Sequence, residues 1–531
     1  MDSSLIFDHI YLILPMLVVA VGALTVMMVD AFCESDRQYE LASRSGSSWN
    51  AGFFTTAILL LALGMLGYVA PSYHSATVVD ASSLVNFSQP LTIFSGTLFV
   101  DPYTFLISAL LLATATLCML VGKDYLVGEG VSRVGEYSTL YLMSTFGALL
   151  FVAAADLIAL FIGLEILSMA LYCMCGAALF RASSAESAMK YFFLGSFSSA
   201  FFLFGMALLY GVTGSFSLVS LAEYMSEYSD VAHSSGVVTL GIMLLLVGLL
   251  FKIGAVPLHF WAPDVYQGAP TPVTIYMASV VKISSVAVAL RILWFSFGST
   301  ELYELWAYAI WLAALLTMIV GNVIALRQQS VKRMLAYSSI AHAGYMLMGF
   351  LAGPQEGGLS AILFYLIAYA VMTIGAFGVV MAVASKNPQD INGDHIDNFK
   401  GLGKRKPFLA VVMALFLLSL AGLPPGLSGL LGKFFLFSAV IRADYTGLAI
   451  VGVLCSAVSC YYYLRVIVAM YFDSSSEVAN IEDSNEAKSI ENTRAILLST
   501  PLSATLAFCA LLTVVIGVVP SFFYELVQGV L

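Results

Sequence analysis

Seven side chains that can carry a proton lie within or beside otherwise apolar stretches of this sequence. Glu165 lies near the centre of LIALFIGLEILSMALY, and Lys282 lies near the centre of MASVVKISSVAV. A charge at the centre of a membrane-spanning helix costs roughly 2.5–3.5 kcal/mol on insertion scales. Such charges are therefore expected to face one another, or water, inside a helical bundle. The candidate site residues are Glu165, Lys190, Lys252, His259, Lys282, His342 and Lys433.

These residue types suit the stepwise transfer of protons. Neighbouring lysines repel one another when charged, so their protonation states are coupled and protons move in steps. A carboxylate favours the charged form of a nearby lysine, so movement of Glu165 toward or away from Lys252 would load or release a proton. Histidine titrates near neutrality and can relay protons. The alternative for His259 and His342 is that each is a satisfied core residue, and this alternative stays open here.

The stretch at 251–272, FKIGAVPLHFWAPDVYQGAPTP, contains four prolines within apolar surroundings. Proline lacks an N–H donor and its ring clashes with the preceding turn, so a helix cannot run smoothly through it. Broken helices at membrane depth occur where protein or a water-filled cavity surrounds them. Lys252 stands directly before the predicted break, whereas Asp156 and Asp264 are interpreted as capping or solvated residues at span ends.

The composition is typical of a polytopic membrane protein. Of the 531 residues, 60% are hydrophobic and only 10% are charged, whereas soluble domains carry about 25% charged residues. No basic patch interleaved with aromatic residues points to nucleic acid. The seven cysteines form no CxxC pair, which argues against an iron–sulfur site, and a dinucleotide fingerprint is missing from the sequence.

Counting apolar runs of about 20 residues predicts an all-α protein with about fourteen transmembrane helices. Two of them, the seventh and the twelfth, are expected to be broken by proline. The predicted spans are 10–30, 51–70, 102–122, 136–155, 157–180, 187–210, 237–258, 272–296, 305–326, 334–352, 359–384, 407–440, 446–471 and 496–524.

The distribution of basic residues predicts which connections face the cytoplasm. The connections after odd-numbered spans hold 16 of the 22 Lys and Arg residues. Cytoplasmic loops carry an excess of Lys and Arg. Both termini are therefore expected on the non-cytoplasmic side, while Arg291 and Arg442 are read as the only basic residues of the outer connections.

Spans 4–8 and 9–13 are predicted to form two five-helix units of opposite orientation, the inverted-repeat pattern of transporters. The predicted divisions are an N-terminal three-helix segment with an outer polar insertion, two five-helix repeats, and a cytoplasmic loop with a C-terminal helix. Their bounds are 1–125, 136–296, 305–471 and 472–531. Within the first, the polar residues 31–50 precede the second span, and residues 71–101 are expected to form a short hairpin over the outer surface.

Five motifs resemble the antiporter-like membrane subunits of proton-pumping NADH–quinone oxidoreductase, respiratory complex I. The resemblance covers roughly residues 100–525. The sequences DVYQGAP and YYYLR are more similar to the subunit N branch than to its sister subunits L and M. The motifs are LFIGLEILSMALY at 160–172, FKIGAVPLHFWAPDVYQGAPTPV at 251–273, KRMLAYSSIAHAGY at 332–345, SLAGLPPGLSGLLGKFF at 419–435 and YYYLRV at 461–466.

The resemblance implies a role for each matched residue. Glu165 corresponds to the essential glutamate that modulates the lysine of broken helix seven, here Lys252. Lys190 corresponds to a lysine near the cytoplasmic entry, and Lys282 to the connecting lysine of helix eight. Lys433 corresponds to the lysine at the start of the exit half-channel. His259 and His342 correspond to polar residues along the central hydrophilic axis.

The resemblance also implies the protein's surroundings. It predicts a bacterial-type inner (cytoplasmic) membrane, sister antiporter-like and other membrane subunits as partners, and a peripheral redox arm. No cofactor is expected on this chain, since flavin and iron–sulfur clusters belong to partner subunits and quinone binds elsewhere in the complex. Two alternatives share the lysine chemistry: an Mrp-type cation/proton antiporter subunit and a membrane subunit of an energy-converting hydrogenase.

Overall fold

The computed structural model describes residues 10–37, 51–75, 91–126, 131, 133–179, 181–227, 235–298, 300–384, 393–472 and 499–530. The chain is mostly helical, and its long helices are numbered here in chain order. They are α1 (Leu14–Arg37), α2 (Ala51–Ser75), α3 (Pro102–Gly122), α4 (Val134–Ala153), α5 (Leu157–Cys175), α6 (Ala182–Thr213), α7 (Gly236–Ile253), α8 (Thr271–Tyr276, Met277–Val281, Lys282–Arg291 and Ile292–Ser296), α9 (Thr300–Ala325), α10 (Val331–Leu351), α11 (Gly358–Ala384), α12 (Pro407–Ala421 and, after a break, Leu427–Arg442), α13 (Thr446–Tyr471) and α14 (Thr500–Val518).

Shorter elements connect these helices. One of them, Trp261–Gly268, follows α7 after a break and is called the short helix below. The others are the helical segments Ile10–Ile13, Leu218–Glu227, Ile396–Phe399, Leu402–Arg405 and Pro520–Gln528 and the strands β1 (Leu91–Ile93) and β2 (Leu98–Val100).

Within the described residues, twelve helices are long and apolar enough to cross a membrane. The first half of α12, Pro407–Ala421, is a shorter apolar helix, and α4 is also outside the twelve. The chain is thus a multi-pass membrane protein, and the number of fourteen crossings stays a prediction.

Helix ends differ from the predicted spans where a local signal overrides hydropathy. The fifth span was predicted to reach 180, but α5 ends at Cys175. The seventh was predicted to reach 258, but α7 ends at Ile253, because Gly254 adopts a left-handed conformation with φ 79°. The last span was predicted as one helix over 496–524, but α14 ends at Val518 and a separate helix begins at Pro520.

Successive connections lie at alternate ends of the bundle. The connections after α3, α5, α7, α9 and α11 and the C-terminal part of α13 meet at one end. Their contacts are Val131 with Ala178, Lys332 with Ala269, Ser330 with His395 and Arg465 with Leu326. The connections after even-numbered helices meet at the other end, through Asp156 with Ser217, Ser296 with Leu218 and Tyr303 with Tyr445.

Three helices form the enclosed centre of the bundle. Nearly all residues of α8, α10 and α11 are buried, whereas α1, α2, α6 and α13 each leave an apolar side exposed. A helix buried on all sides can carry polar residues only where other helices satisfy them. The centre is therefore where buried proton carriers would find protein partners.

Two helical hairpins pack in the same close way. In the α4–α5 hairpin, a Cβ on Gly163 would lie 2.7 Å from the Cα of Phe151. In the α9–α10 hairpin, a Cβ on Gly321 would lie 2.7 Å from the backbone nitrogen of Ala341. Each position requires glycine because the two backbones touch. The predicted five-helix units stay a prediction, but each begins with this type of hairpin.

The two predicted helix breaks are present and are built alike. Gly254 follows the end of α7, and Gly422 follows the first half of α12, with φ 82°. Three residues after each glycine stands a proline, and the bonds Val256–Pro257 and Pro424–Pro425 are cis. The two lysines lie on opposite sides of their breaks: Lys252 precedes the break after α7, and Lys433 follows the break within α12.

The segment predicted to lie over the outer surface contains an antiparallel hairpin, β1–β2. Phe99 and Val100 of β2 are buried, so the hairpin packs against the bundle, and its predicted position on the outer side stays a prediction. Residues 76–90 of that segment, residues 38–50 of the polar stretch at 31–50 and residues 473–498, which include the predicted acidic loop, lie outside the described residues.

The prediction for Arg291 was wrong, since it is not a residue of an outer connection. It lies in α8, buried, and its Nη2 donates to both carboxylate oxygens of Asp101 at 2.8 and 2.7 Å. The guanidinium also lies 4.6 Å from the ring centroid of Phe99. A buried bidentate pair of this kind binds α8 to the β1–β2 hairpin and to the start of α3.

Candidate functional site

The first group of site residues lies between α5, α6 and α7. The Lys252 side chain is 3% exposed, and its Nζ donates to Ser168 Oγ at 2.7 Å. Its ammonium faces the rings of Tyr172 and Tyr191, with centroids 5.4 and 5.2 Å away. Rings that face a desolvated ammonium stabilise it without supplying a counter-charge.

Glu165 accompanies Lys252 without forming an ion pair with it in this structure. Its Oε1 accepts a bond from Ser199 Oγ of α6 at 2.5 Å. Ser168, the partner of Lys252, follows Glu165 by three residues, and residues at this spacing share a helix face. Glu165 and Lys252 therefore lie along the same side of α5, and a change of side-chain rotamer or a small shift of α6 would alter their separation.

Lys190 lies apart from this group, at one end of the bundle. We expected it among the buried charges, but its side chain is 40% exposed. Its Nζ lies 2.7 Å from Glu186 Oε1 and 2.7 Å from Asp264 Oδ2. The prediction of burial was wrong because Lys190 lies on an exposed part of α6, where carboxylates of Glu186 and Asp264 supply its partners.

The two aspartates assigned to span ends behave differently. Asp156 is the N-cap of α5 and accepts from the backbone N–H of Ala159 at 2.6 Å, as the sequence predicts. The prediction of capping or solvation for Asp264 was wrong, because its carboxylate binds Lys190 at 2.7 Å and Arg333 at 2.8 Å. Those partners are distant in sequence, so the local pattern around Asp264 carries no sign of them.

His259 lies in the break after α7. It is buried, its ring packs 4.6 Å from the ring of Phe260, and its Nδ1 has no hydrogen-bond partner within the described part of the chain. The same break is held by α9, where Thr317 Oγ1 accepts from the backbone N–H of Val256 at 2.9 Å. Buried polar atoms without a protein partner are sites that water commonly satisfies.

Lys282 lies in the enclosed centre, directly after the π-helical turn Met277–Val281 of α8. Its Nζ donates to both the carbonyl and the hydroxyl oxygen of Ser339 in α10, at 2.5 Å each. Tyr369 donates to the same hydroxyl at 2.9 Å. Single π-helical turns are frequent at functional sites, and this one directly precedes the lysine.

His342 lies one helical turn after Ser339 and has a partner on each ring nitrogen. Its Nδ1 lies 2.5 Å from the hydroxyl of Tyr365, and its Nε2 lies 3.1 Å from the hydroxyl of Tyr463. Tyr463 in turn bonds to Ser338. In the neutral imidazole one nitrogen donates and the other accepts, so a proton can arrive at one side of the ring and leave from the other.

Lys433 lies in the second half of α12, six residues after its start at Leu427, and its side chain reaches back to the end of the first half. Its Nζ donates to the carbonyl of Ala421 at 2.9 Å and to Ser456 Oγ at 2.8 Å. Ala421 ends the first half of α12, where carbonyls have no helical partner and a cation is favoured. The ring of Tyr345 lies 5.2 Å from this ammonium and 5.8 Å from the His342 ring.

The structure thus brings Lys282, His342 and Lys433 into one polar line through α8, α10, α11, α12 and α13. Lys252 with Glu165 forms a second group, and Lys190 with Asp264 a third. Sequence reasoning missed the neutral residues that surround the line and the Lys252–Glu165 group. They are Ser168, Ser199, Ser338, Ser339, Tyr345, Tyr365, Tyr369 and Tyr463. The motifs at 160–172, 332–345 and 461–466 contain five of them, Ser168, Ser338, Ser339, Tyr345 and Tyr463, but the prediction assigned roles only to the charged residues and the histidines.

Comparison with known proteins places this arrangement in a family. A model described as NADH:quinone oxidoreductase/Mrp antiporter, TM matches residues 154–459. The NADH-quinone oxidoreductase subunit N of Trichlorobacter lovleyi is 39% identical over 469 residues, or 88% of this chain and 89% of that protein.

Solved structures agree in fold. A chain of respiratory complex I from Thermus thermophilus with bound aureothin is 29% identical with a TM-score of 0.71, and the match covers 96% of this chain and 99% of that one. A chain of the Mrp complex from a Dietzia species has a TM-score of 0.76 at 20% identity, covering 97% and 96%, and shares the fold. Because the family model covers more than half of the sequence and the relative covers most of it, the chain belongs to the NADH:quinone oxidoreductase/Mrp antiporter transmembrane family, among relatives named NADH-quinone oxidoreductase subunit N.

Proposed function

We propose that the chain is a proton-translocating membrane subunit of a redox-driven NADH–quinone oxidoreductase, and that protons move along its buried Glu, Lys and His side chains. The observation that supports the proposal is the burial and the neutral hydrogen-bond partners of three lysines. Lys252, Lys282 and Lys433 are each 3% exposed, and the hydrogen-bond partners of all three are hydroxyl or carbonyl oxygens.

Neutral partners suit a proton carrier. An amine still has N–H donors after it loses a proton, so the same oxygens satisfy both of its states. If each lysine were locked to a carboxylate, release of the proton would leave an uncompensated buried negative charge, which is costly. Glu165 is not bonded to Lys252, so its position can change the protonation of that lysine. Approach of Glu165 would favour the charged lysine, and withdrawal of Glu165 would favour the neutral lysine.

The path between the central lysines runs through neutral groups. From Lys282 it reaches Ser339 and Tyr369, then the His342 ring, whose centroid lies 5.3 Å from that of Tyr369. Tyr345 separates His342 from Lys433. Ring contacts do not transfer protons, so water or side-chain rotation completes these two steps.

The redox chemistry is assigned to partners. The relatives are named as subunits of NADH-quinone oxidoreductase, so this chain is proposed to work with sister antiporter-like subunits, other membrane subunits and a peripheral redox arm. Flavin and iron–sulfur clusters would lie on that arm, and quinone would bind elsewhere in the complex. The apolar outer sides of α1, α2, α6 and α13 suit contact with lipid or with neighbouring membrane subunits.

The orientation follows from charge. The end that gathers the connections after odd-numbered helices holds most of the Lys and Arg residues, so it is proposed to face the cytoplasm of a bacterial inner membrane. Both termini would then lie on the other side. Lys190 and Asp264 belong to the cytoplasmic end in this orientation.

The test is proton pumping by the complex reconstituted in vesicles, driven by NADH and quinone. Glu165→Ala and Lys252→Ala are each expected to lower the initial rate of pumping by roughly ten-fold or more, because one removes a proton carrier and the other its modulator. Rates are normalised to assembled complex. Glu165→Asp keeps the charge with a shorter reach and should lie between the two alanine variants and the wild type.

Wild-type pumping by both alanine variants would remove this pair from the path. The antiporter alternative makes a different prediction. Vesicles that exchange sodium for protons without NADH, from a preparation that lacks quinone-reductase subunits, would favour it.

A further inference from the structure

The short helix after α7 lies between two helices of different predicted units. A Cβ on Gly268 would lie 2.5 Å from the carbonyl oxygen of Ser183 in α6, so the two backbones are in direct contact. On the other side, Lys332 Nζ at the start of α10 donates to the carbonyl of Ala269 at 2.7 Å. The element directly downstream of Lys252 is therefore held from both sides.

Asp264 connects the two sides through one carboxylate. Its Oδ2 binds Lys190 of α6 at 2.7 Å, and its Oδ1 binds Arg333 of α10 at 2.8 Å. The Asp264 side chain is 35% exposed and those of Lys190 and Arg333 are 40% and 28% exposed. Half-buried pairs are screened less than pairs in open solvent, so this carboxylate links α6 and α10 electrostatically.

The two sides hold the short helix through different contacts. Arg333 also donates to Gln267 Oε1 at 2.9 Å, and its neighbour Lys332 binds the end of the short helix. From α6, Lys190 contributes its charged contact with Asp264, beside the backbone contact of Ser183 with Gly268. Opening of the bond between Lys190 and Asp264 would remove the charge pair between α6 and the short helix and leave the bonds to α10 in place.

Opening of that bond would affect the surroundings of Lys252 through Tyr191 and Trp261. Tyr191 follows Lys190 directly, and its ring stacks on Trp261 at 4.6 Å with an interplanar angle of 16°. The same ring lies 5.2 Å from the Lys252 ammonium, and its buried hydroxyl has no hydrogen-bond partner among the described residues. Trp261 in turn donates to the carbonyl of Phe251 at 3.0 Å. Lys190, Tyr191 and Trp261 thus form a continuous link from the bundle end to the lysine.

We propose that Asp264 is a positioning residue whose bond to Lys190 holds Tyr191 and Trp261 beside Lys252 and thereby controls access to that lysine from the end proposed to be cytoplasmic. With the bond closed, the Tyr191 ring covers Lys252. With the bond open, α6 shifts relative to the short helix and Lys252 becomes accessible to protons from that end. This inference rests on the proposed function and adds the device that times proton uptake.

The main variant is Asp264→Asn, which keeps the shape of the side chain and removes its charge. We expect the protons pumped per NADH oxidised by the reconstituted complex to fall by up to about five-fold, the upper limit for loss of a partly exposed ion pair. NADH:quinone reductase activity per assembled complex should change less. Glu186→Gln is the matched control, because Glu186 binds Lys190 at the same 2.7 Å but from the same helix, and so cannot link α6 to the short helix.

Two further variants separate positioning from simple loss of structure. Asp264→Glu should restore most of the pumping, since it keeps the charge at nearly the same reach. In a Lys190→Gln background, Asp264→Asn should lower pumping little further, because the bond is already lost. If Asp264→Asn prevents assembly, Lys190→Gln tests the same bond from its other side and should give the same fall.

Three results would overturn the inference: wild-type coupling in Asp264→Asn or in Lys190→Gln, an equal loss in Glu186→Gln, or full additivity of the Asp264 and Lys190 changes. Failure of the proposed function is a different result. If the proposed function is wrong, Lys252→Ala itself would pump like the wild type. If Lys252→Ala is inactive but Asp264→Asn pumps like the wild type, only the proposed control of access is wrong.

Discussion

At the scale of single residues, the buried cations are of two kinds. Arg291 has a bidentate carboxylate partner, Asp101, and holds α8 to the β1–β2 hairpin. Lys252, Lys282 and Lys433 bind neutral oxygens. A guanidinium does not deprotonate in proteins, whereas a lysine amine does. The chain therefore uses arginine where a permanent charge fixes the fold and lysine where a proton is proposed to move.

Tyr463 is the residue through which His342 can be tested without altering a charge. Its hydroxyl lies 3.1 Å from His342 Nε2 and also bonds Ser338. Tyr463→Phe keeps the ring and removes the hydroxyl, so His342 loses its partner at Nε2 and keeps Tyr365 at Nδ1. We expect proton pumping to fall by roughly ten-fold, within the range of a lost proton-transfer partner, measured in vesicles against assembled complex.

The neighbouring tyrosine supplies the control. Tyr462 is equally buried, and its hydroxyl donates to Asn322 Oδ1 at 3.1 Å. Tyr462→Phe should pump like the wild type. Equal losses in the two variants would point to a general weakening of α13 and would contradict a specific role for Tyr463.

The sequence predicts charged members of the site far better than neutral ones. Lys282 stands out because no other charge occurs in the stretch MASVVKISSVAV, whereas Ser339 and Tyr369 are ordinary residues of membrane helices. Asp264 was misread because a proline-rich surrounding suggests a helix end, and its partners come from α6 and α10. Only the folded chain reveals which neutral groups meet a lysine.

At the scale of elements, the two helix breaks determine where lysines meet free backbone groups. The carbonyl of Ala421, at the end of the first half of α12, accepts from Lys433. In α7 the carbonyl of Phe251 accepts from the indole of Trp261. Proline and glycine mark both breaks in the sequence, but hydropathy continues past Ile253, which is why the predicted span was five residues too long.

Gly422 is the position at which the α12 break can be tested. Its φ of 82° is a left-handed conformation, and an added Cβ would lie 3.3 Å from Lys433 Cδ. Gly422→Ala is expected to cost about 1–2 kcal/mol of folding free energy and to displace the lysine. Thermal unfolding of the detergent-solubilised complex should begin at lower temperature, and pumping should fall with it.

Gly447→Ala is the control for that change. Gly447 lies in the first turn of α13, where an added Cβ meets nothing within 4 Å. Its unfolding and pumping should match the wild type. If Gly422→Ala behaves in the same way, the break tolerates a side chain and does not position Lys433.

At the scale of the whole molecule, the proposed relay crosses from the first predicted unit to the second. Lys252 belongs to α7, Lys282 to α8, His342 to α10 and Lys433 to α12. The helices that carry the middle of this line are the most deeply buried of the bundle. The alternation of basic and non-basic connections predicts from sequence which connections share an end of the bundle. The order of contacts along the line depends on helix packing, which a local sequence pattern does not show.

The central claim is that lysines of this line release and rebind protons. Substitution of Lys433 tests that claim most directly. Arginine at this position would keep the positive charge beside the Ala421 carbonyl but would not release its proton. The measurement is the number of protons pumped per NADH oxidised by vesicles that contain complex with Lys433→Arg or Lys433→Ala, normalised to assembled complex. We predict that Lys433→Arg is impaired nearly as much as Lys433→Ala. Wild-type pumping by Lys433→Arg would contradict the account, because Lys433 would then be a fixed charge and not a proton carrier.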